Sequence, residues 1–363
     1  MALTQVQSGI LADSTQTYGM KNRIINGDMR VWQRATSVTG STGYNSVDRW
    51  DINGSTSTLN VAQSTDAPAG FTYSTGITVG TASSASGAYS YMVQQIEGYN
   101  WADLNYGTAS AATSTLSFWV KSSVTGTYGL SFRNTSSARF YTTTYTINSA
   151  NTWEQKTITI TGDTSGTWLK TNGSGFSVFW DLGIGSTYSS ASNNAWSTVG
   201  SNYFGVTSTT KLASTSGATF YITGIQLEKG STATAFDYRS FGTELTLCQR
   251  YFEKTYDYAT AIGTATENGW EWIGTDCGNV TTTGTLQSQR PRFSVTKRTQ
   301  PTINVWDATG ASAKATRYYV TSGPSNGHAC TTDLITSNSF RVFVAGTTTT
   351  TNGAFHWAAN AEL

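Results

Sequence analysis

Segment Thr115–Lys121 reads T-L-S-F-W-V-K. Leu116, Phe118 and Val120 alternate in it with Ser117, Trp119 and Lys121. A period of two puts the first set on one face of a strand and the second set on the other. The same alternation recurs through Tyr128–Arg133, Phe140–Ile147, Trp153–Ile160 and Ala218–Glu228. It recurs again where Phe176, Val178 and Trp180 alternate with Ser177, Phe179 and Asp181. With Ile24–Trp32 as an opening strand, residues 23–240 hold about ten such segments between Gly, Ser and Asn turns, the spacing of a β-sandwich. Aromatic residues make up 13 % of the chain and charged residues 12 %, against about a quarter charged in ordinary soluble proteins. A chain of this kind can bury apolar area and does not read as disordered. The expected fold class is all-β.

One stretch breaks the pattern. Phe241, Leu245, Cys248 and Phe252 recur at steps of four, three and four, which places them on one helical face. Thr243 is the expected N-cap, its hydroxyl accepting from an orphan N–H of the first turn. A linking helix is therefore expected over 241–256, between a large sandwich over 23–240 and a smaller β domain over 257–363. In the latter, Trp270 and Trp272 share a strand face. Phe293 and Val295, Ile303 and Val305, and Phe340, Val342 and Val344 alternate in the same way. Residues 1–22 carry few large apolar groups and read as an arm. Residues 182–217, with Trp196 and Tyr203, form a long polar connection. A loop of that length is expected to cover something or to be part of a site.

Several function classes are disfavoured. The net charge is +1 and basic runs are short, so the electrostatic footprint of a nucleic-acid binder is missing. No apolar run approaches the ~18 residues of a membrane span. The N-terminal stretch lacks the basic and apolar regions of a secretory signal. Cys248, Cys277 and Cys330 are too few and too scattered for a disulfide framework or a zinc site, so three reduced thiols are expected. A Ser-, Thr- and Gly-rich surface without an export leader suits a virion component, made in a cytoplasm and exposed when the host lyses.

Ordered motifs then carry a resemblance. NRIINGDMRVWQR (Asn22–Arg34), SVDRWD (Ser46–Asp51), TLSFWVKS (Thr115–Ser122), TWEQKTITITGD (Thr152–Asp163) and GATFYITGIQLEKGSTATAFDYRS (Gly217–Ser240) resemble the jelly-roll domain of bacteriophage tail-fibre and receptor-binding proteins. That domain is itself similar to β-sandwich carbohydrate-binding modules. LTLCQRYFEKTY (Leu245–Tyr256) looks like the family's junction segment, and RFSVTKRTQPTINVWDATG (Arg292–Gly310) resembles the terminal domains of such fibres. The resemblance implies a fold, a jelly-roll sandwich followed by a short helix and a C-terminal β tip. It also implies a role, adhesion of a virion to a host surface saccharide, as a homotrimer held to another virion protein through the arm. A capsid-anchored decoration protein and a glycan-cleaving depolymerase are the alternatives.

Candidate sites follow. The two histidines, His328 and His356, lie near the C-terminus, and no nucleophile elbow, zinc-protease motif or phosphate loop occurs. Asp48 and Asp51, three apart in an extended segment, fall on opposite faces, so no catalytic residue is assigned and no enzyme is expected. Related sandwiches often hold a structural calcium. Here Asp28 stands in the opening turn, but Gly224 occupies the closing strand's usual acid position, so no metal or cofactor is assigned. Sugars stack their C–H faces on aromatic rings and need hydroxyl partners. Trp180 shares a face with Phe176 and Val178 and is core. Trp119, beside Ser117 and Lys121, is the candidate platform. Tyr318, Tyr319 and His328, around the turn-like Ser322–His328, form a second receptor-contact candidate. Arg290, Arg292, Lys297 and Arg298 are the one basic concentration, read as solubilising or bridging charges rather than as contacts to an acidic glycan. Phe241, Leu245 and Phe252 are the candidate oligomer contacts around a three-fold axis.

Overall fold

The structure is a computed structural model that describes residues 20–134, 138–191, 194–198, 204–274, 286–287, 290–319, 323–344 and 352–363. Arm residues 1–19, Tyr203, Cys277 and Ser322, named among the sequence features above, lie outside the described residues. The chain forms two compact units. The first comprises residues 20–28, Asn53–Leu59 and Ser64–Arg239, and the second Met29–Ile52, Asn60–Gln63 and Ser240–Leu363. The opening stretch, expected to belong wholly to the sandwich, is thus divided, and Met29–Ile52 packs within the second unit.

The first unit is an all-β jelly-roll sandwich. One layer runs in the order Ser74–Val79, Thr219–Lys229, Ser114–Ser122, Glu154–Ile160, all antiparallel. The facing layer runs Trp196–Ser197, Phe140–Ile147, Gly126–Arg133, Ser174–Asp181, Ser90–Glu97. Leu116, Phe118 and Val120 from one layer and Leu130, Phe132, Phe176, Val178 and Trp180 from the other are all fully buried. Phe118 meets Trp180 edge-on at 5.6 Å between ring centroids. Each such side chain contributes about 1.5–3 kcal/mol by burial, so the alternation of hydrophobic residues sets the register of both layers.

Residues 22–28 are not a strand. They are stitched to the sandwich by side chains: Asn22 Oδ1 accepts from the Ile24 and Leu227 N–H groups, and Asn22 Nδ2 donates to the Ile225 carbonyl. Gln94 exchanges two 2.8 Å bonds with the Ile25 backbone. The closing strand bulges between Thr223 and Gln226. Gly224 sits in that bulge with φ +61°, and a Cβ there would lie 2.6 Å from the Phe71 ring. A backbone turn against an aromatic ring is the reason for glycine at this position.

In the second unit the long strand Asn352–Asn360 pairs with four others: Phe252–Lys254, Glu271–Gly274, Thr302–Trp306 and Lys314–Tyr319. Strands Gly323–Asp333 and Arg341–Val344 extend the sheet. Ile273, Phe293, Val305, Phe340, Val342, Val344, Phe355 and Trp357 form its core. A second cluster joins Phe252, Tyr256, Trp306 and Ala358.

The one described α-helix is Phe241–Gln249, shorter than the sequence suggests. Ser240, not Thr243, is its N-cap and accepts from the Thr243 N–H. Its buried positions are Glu244 and Cys248. Phe252 opens a strand rather than continuing the helix and is 3 % exposed, with the Arg34 guanidinium 3.8 Å above its ring. The expected stripe of Phe241, Leu245 and Phe252 therefore does not form. Phe241 is exposed and touches Tyr258, Leu245 is half-buried, and Phe252 is sealed within its own chain.

Asp48 explains much of that sealing. Its carboxylate accepts from the Gln33 N–H at 2.5 Å, from Gln33 Nε2 at 3.0 Å and from Arg34 Nη1 at 3.2 Å. Arg34 also reaches Glu362 at 3.0 Å, and Arg49 pairs with the same glutamate while stacking on Tyr251. Burial raises the Asp48 pKa to about 6 against the pull of Arg34. The group is fully buried and serves the packing of this unit.

Candidate functional site

The outer face of the Ser90–Glu97 and Ser174–Asp181 pair carries the aromatic surface of the first unit. In this register Tyr91 lies opposite Asp181 and Val93 opposite Phe179. Their neighbours Met92 and Trp180 point the other way into the core. Tyr91 and Phe179 meet edge-on at 5.5 Å. Tyr89 stacks on Tyr91 at 5.9 Å. The 182–217 connection adds Tyr188 and Phe204, which stack on each other at 5.5 Å and reach Tyr89, Tyr91 and Phe179 at 5.7–6.0 Å. All five rings are half-buried, so each keeps a surface open to a ligand.

A cleft of about 620 Å³ opens between the segments that flank Tyr89, Tyr188 and Phe204 in sequence, with none of the five rings in its lining. Its walls are Ser83–Ser86, Gly183–Ser186 with Ser189, and Thr207–Thr209 with Lys211 and Ser214. Hydroxyls dominate the lining, and each can donate and accept. Asp181 holds these walls together. Its Oδ1 accepts from the Gly183 and Ile184 N–H groups at 3.0 and 2.8 Å. Its Oδ2 accepts from the Val206 N–H at 3.1 Å and from Lys211 Nζ at 2.5 Å. Burial pushes the Asp181 pKa upward, against Lys211 and the backbone donors. Gly129, opposite Asp181 in the next strand, leaves room for the loop, because a Cβ there would come within 3.0 Å of Val206 and Asp181 Oδ2. The arrangement offers flat apolar rings, a hydroxyl-rich cleft and one paired cation.

The sequence candidates lie elsewhere. Trp119 is half-buried on the outer face of the opposite layer, paired with Gln155 and Thr223. That face is less open than the alternation suggests. Ser117 is 4 % and Lys121 9 % exposed, and Lys121 pairs with Asp66 and lies over the Tyr221 and Trp153 rings.

In the second unit, Ser322–His328 was expected to be a turn, yet from Gly323 on it is strand, paired with Lys314–Tyr319. A register shift between Ala315 and Arg317 absorbs the polar Asn326–Gly327 step, where Asp307 Oδ2 accepts from the Gly327 N–H at 2.7 Å. Tyr319 and His328 come together, ring centroids 6.1 Å apart. Tyr318 turns to Trp272 at 5.0 Å and Trp270 at 5.9 Å. His356 is fully buried, stacked on Tyr256 at 3.9 Å with Nδ1 3.1 Å from Thr255 Oγ1. Of the basic concentration, Lys297 is buried against Glu253, and Arg298 donates to the Ala361 and Glu362 carbonyls at 2.9 and 2.8 Å. Arg290 and Arg292 are exposed. Asp28 is buried in its turn, and no group of three or more His, Cys, Asp or Glu is placed to hold a metal among the described residues.

Two signals pointed to the aromatic face. Phe179 and Asp181 alternate outward from a core strand, and the 182–217 connection is longer than a structural loop requires. The alternation does not single out Tyr91 or the preceding Tyr89, because the strand Ser90–Glu97 carries polar residues on both faces.

No family model matches the chain, and no curated protein matches it either. Among solved structures it is similar to the enzymatically active domain of bacteriophage CBA120 tailspike protein 4, at 12 % identity and a TM-score of 0.32 over 58 % of this chain and 21 % of that one. It is also similar to the N-terminal cellulose-binding domain of Cellulomonas fimi β-1,4-glucanase C, at 14 % identity and a TM-score of 0.29 over 55 % and 97 % of the two chains. A family 29 carbohydrate-binding module complexed with mannohexaose matches at 14 % identity and a TM-score of 0.27 over 57 % and 99 %. These are likenesses of strand architecture at low identity.

Proposed function

We propose that this chain is a virion fibre protein that attaches to a host surface by binding a saccharide, without covalent chemistry. One observation carries the binding step. Tyr89, Tyr91, Phe179, Tyr188 and Phe204 form a half-open aromatic surface alongside a cleft walled by serine and threonine hydroxyls. Pyranose rings present C–H faces to such rings and hydroxyls to such walls. The virion placement is supported by the ordered motifs of Asn22–Arg34, Thr115–Ser122 and Gly217–Ser240.

A homotrimer belongs to the same reading, since linking weak sites raises avidity by about 10²–10⁴ with no new contact. Of the three expected contact residues, Phe241 and Leu245 remain open to a partner chain. The test is retention of the full-length protein on host surface polysaccharide, with the supernatant assayed for new reducing ends. Retention without release supports adhesion. Sustained release supports a depolymerase. Absence of retention supports a structural decoration role.

A further inference from the structure

Arg133 ends the strand Gly126–Arg133 on the same outer face as Phe179. Its guanidinium carbon lies 5.7 Å from the Phe179 ring centroid and 5.8 Å from that of Phe204. The residue is 8 % exposed. Arg139, equally exposed at 8 %, shows what this protein does with a buried guanidinium: Asp163 clasps it through two bonds of 2.6 Å. Arg133 has no carboxylate partner among the described residues. Residues 134–139, which follow it, and 190–204, which lead to Phe204, contain no Asp or Glu. Its nitrogens are not among the sealed, unpartnered side-chain atoms of the described residues, and the 8 % of the residue that stays exposed is the surface an outside anion can reach.

A guanidinium does not neutralise itself by losing a proton at any ordinary pH. Burial alone moves the Arg133 pKa down, with no opposing acid. The two ring faces offset part of that desolvation, but they leave the planar fork of donors unused. A carboxylate, sulfate or phosphate oxygen pair matches that fork.

We infer that the aromatic face is built for an acidic saccharide, whose anionic substituent docks on Arg133 while its sugar rings lie along Tyr91 and Phe179. This rests on the saccharide-binding reading above and names the ligand's charge. Neutral glycans would use the rings alone and bind more weakly.

The test uses full-length protein and a panel of bacterial surface polysaccharides. Each is presented in native form, after carboxyl reduction, and after removal of phosphate with hydrofluoric acid. The expected result is that at least one native acidic polymer is retained and that one of the two treatments weakens its binding by ~10-fold or more, the scale of a charge-assisted hydrogen bond. Which treatment does so identifies the anion as carboxylate or phosphate. In Arg133→Met that difference disappears, in Arg133→Lys it shrinks, and in Tyr91→Ala all forms weaken alike. The comparison of native and treated polymers on the unaltered protein needs no variant, so misfolding of R133M leaves the test intact. Equal retention of native and neutralised polymers overturns the inference while the saccharide reading stands. Retention of no polymer in any form contradicts both.

Discussion

Lys211 Nζ lies 2.5 Å from Asp181 Oδ2, and the pair joins two stretches of chain that frame one cleft. The same carboxylate gathers the Gly183, Ile184 and Val206 N–H groups. Removing it leaves three buried N–H groups without their acceptor and leaves Lys211, which keeps its 2.8 Å bond to the Val206 carbonyl, without its counter-ion. Asp181→Ala is therefore expected to destabilise the first unit by about 3–5 kcal/mol, read as a drop in the urea midpoint. Asp181→Asn, which keeps one oxygen acceptor, is expected to lose less.

The aromatic face makes a separate prediction about binding. Tyr91→Ala and Tyr188→Ala each remove one half-open ring and are expected to weaken polysaccharide retention by about 3- to 10-fold, from stacking worth ~0.5–1.5 kcal/mol. Trp119→Ala, on the opposite layer, is expected to leave retention unchanged. Affinity electrophoresis of the three variants separates the two faces. A loss confined to the Trp119 variant moves the site to the other layer.

The core of the sandwich was legible because burial follows period two. Phe176, Val178 and Trp180 are as buried as their alternation requires. The outer faces were less legible. Trp119 alternates outward as expected, but its neighbour Lys121 lies over the rings of Trp153 and Tyr221, which are remote from it in sequence. The helix was overextended because Phe252 fits the helical period. Its burial under Arg34 is a long-range packing event that no local period reports. Ser322–His328 looked like a turn by composition, yet a bulge and the Asp307 carboxylate accommodate its polar residues from Gly323 within a strand. Arg133 was visible as a strand-ending residue. That no carboxylate among the described residues pairs with it is a fact of three dimensions.

Phe252 tests the corrected helix boundary. Phe252→Ala removes a ring that is 3 % exposed, so a loss of about 3–5 kcal/mol in stability is expected. Phe241→Ala, at 42 % exposure, is expected to change stability by no more than ~0.5 kcal/mol. If the helix joins chains in a homotrimer, Phe241→Ala instead lowers the mass seen in light scattering. A fall in mass from Phe252→Ala in a protein that stays fully folded contradicts the packing described here.

Asp51 sets a pH dependence. Burial, with Glu362 adding to it, raises its pKa from 3.8 to about 6, and its Oδ1 has no hydrogen-bond partner. The folded state then holds a proton that the unfolded state has already lost, so stability falls as pH rises between about 4 and about 6. Below that window the contribution is complete, and above it the loss is constant. Asp51→Asn removes this slope. Relative to the unaltered protein, the variant is expected to gain up to about 3 kcal/mol at pH 7 over its standing at pH 4, the equivalent of two pKa units. Chemical denaturation at pH 4, 5, 6 and 7 gives the comparison, and parallel profiles for the two proteins count against it.

The central claim is that the aromatic face and its cleft hold the saccharide. Hydrogen–deuterium exchange of the full-length protein, with and without a surface polysaccharide that retains it, tests this directly. The expected result is slowed exchange in residues 83–91, 181–189 and 204–214, with the opposite layer around 115–121 and the second unit's 314–328 unchanged. Protection confined to 115–121 or to 314–328 would contradict it.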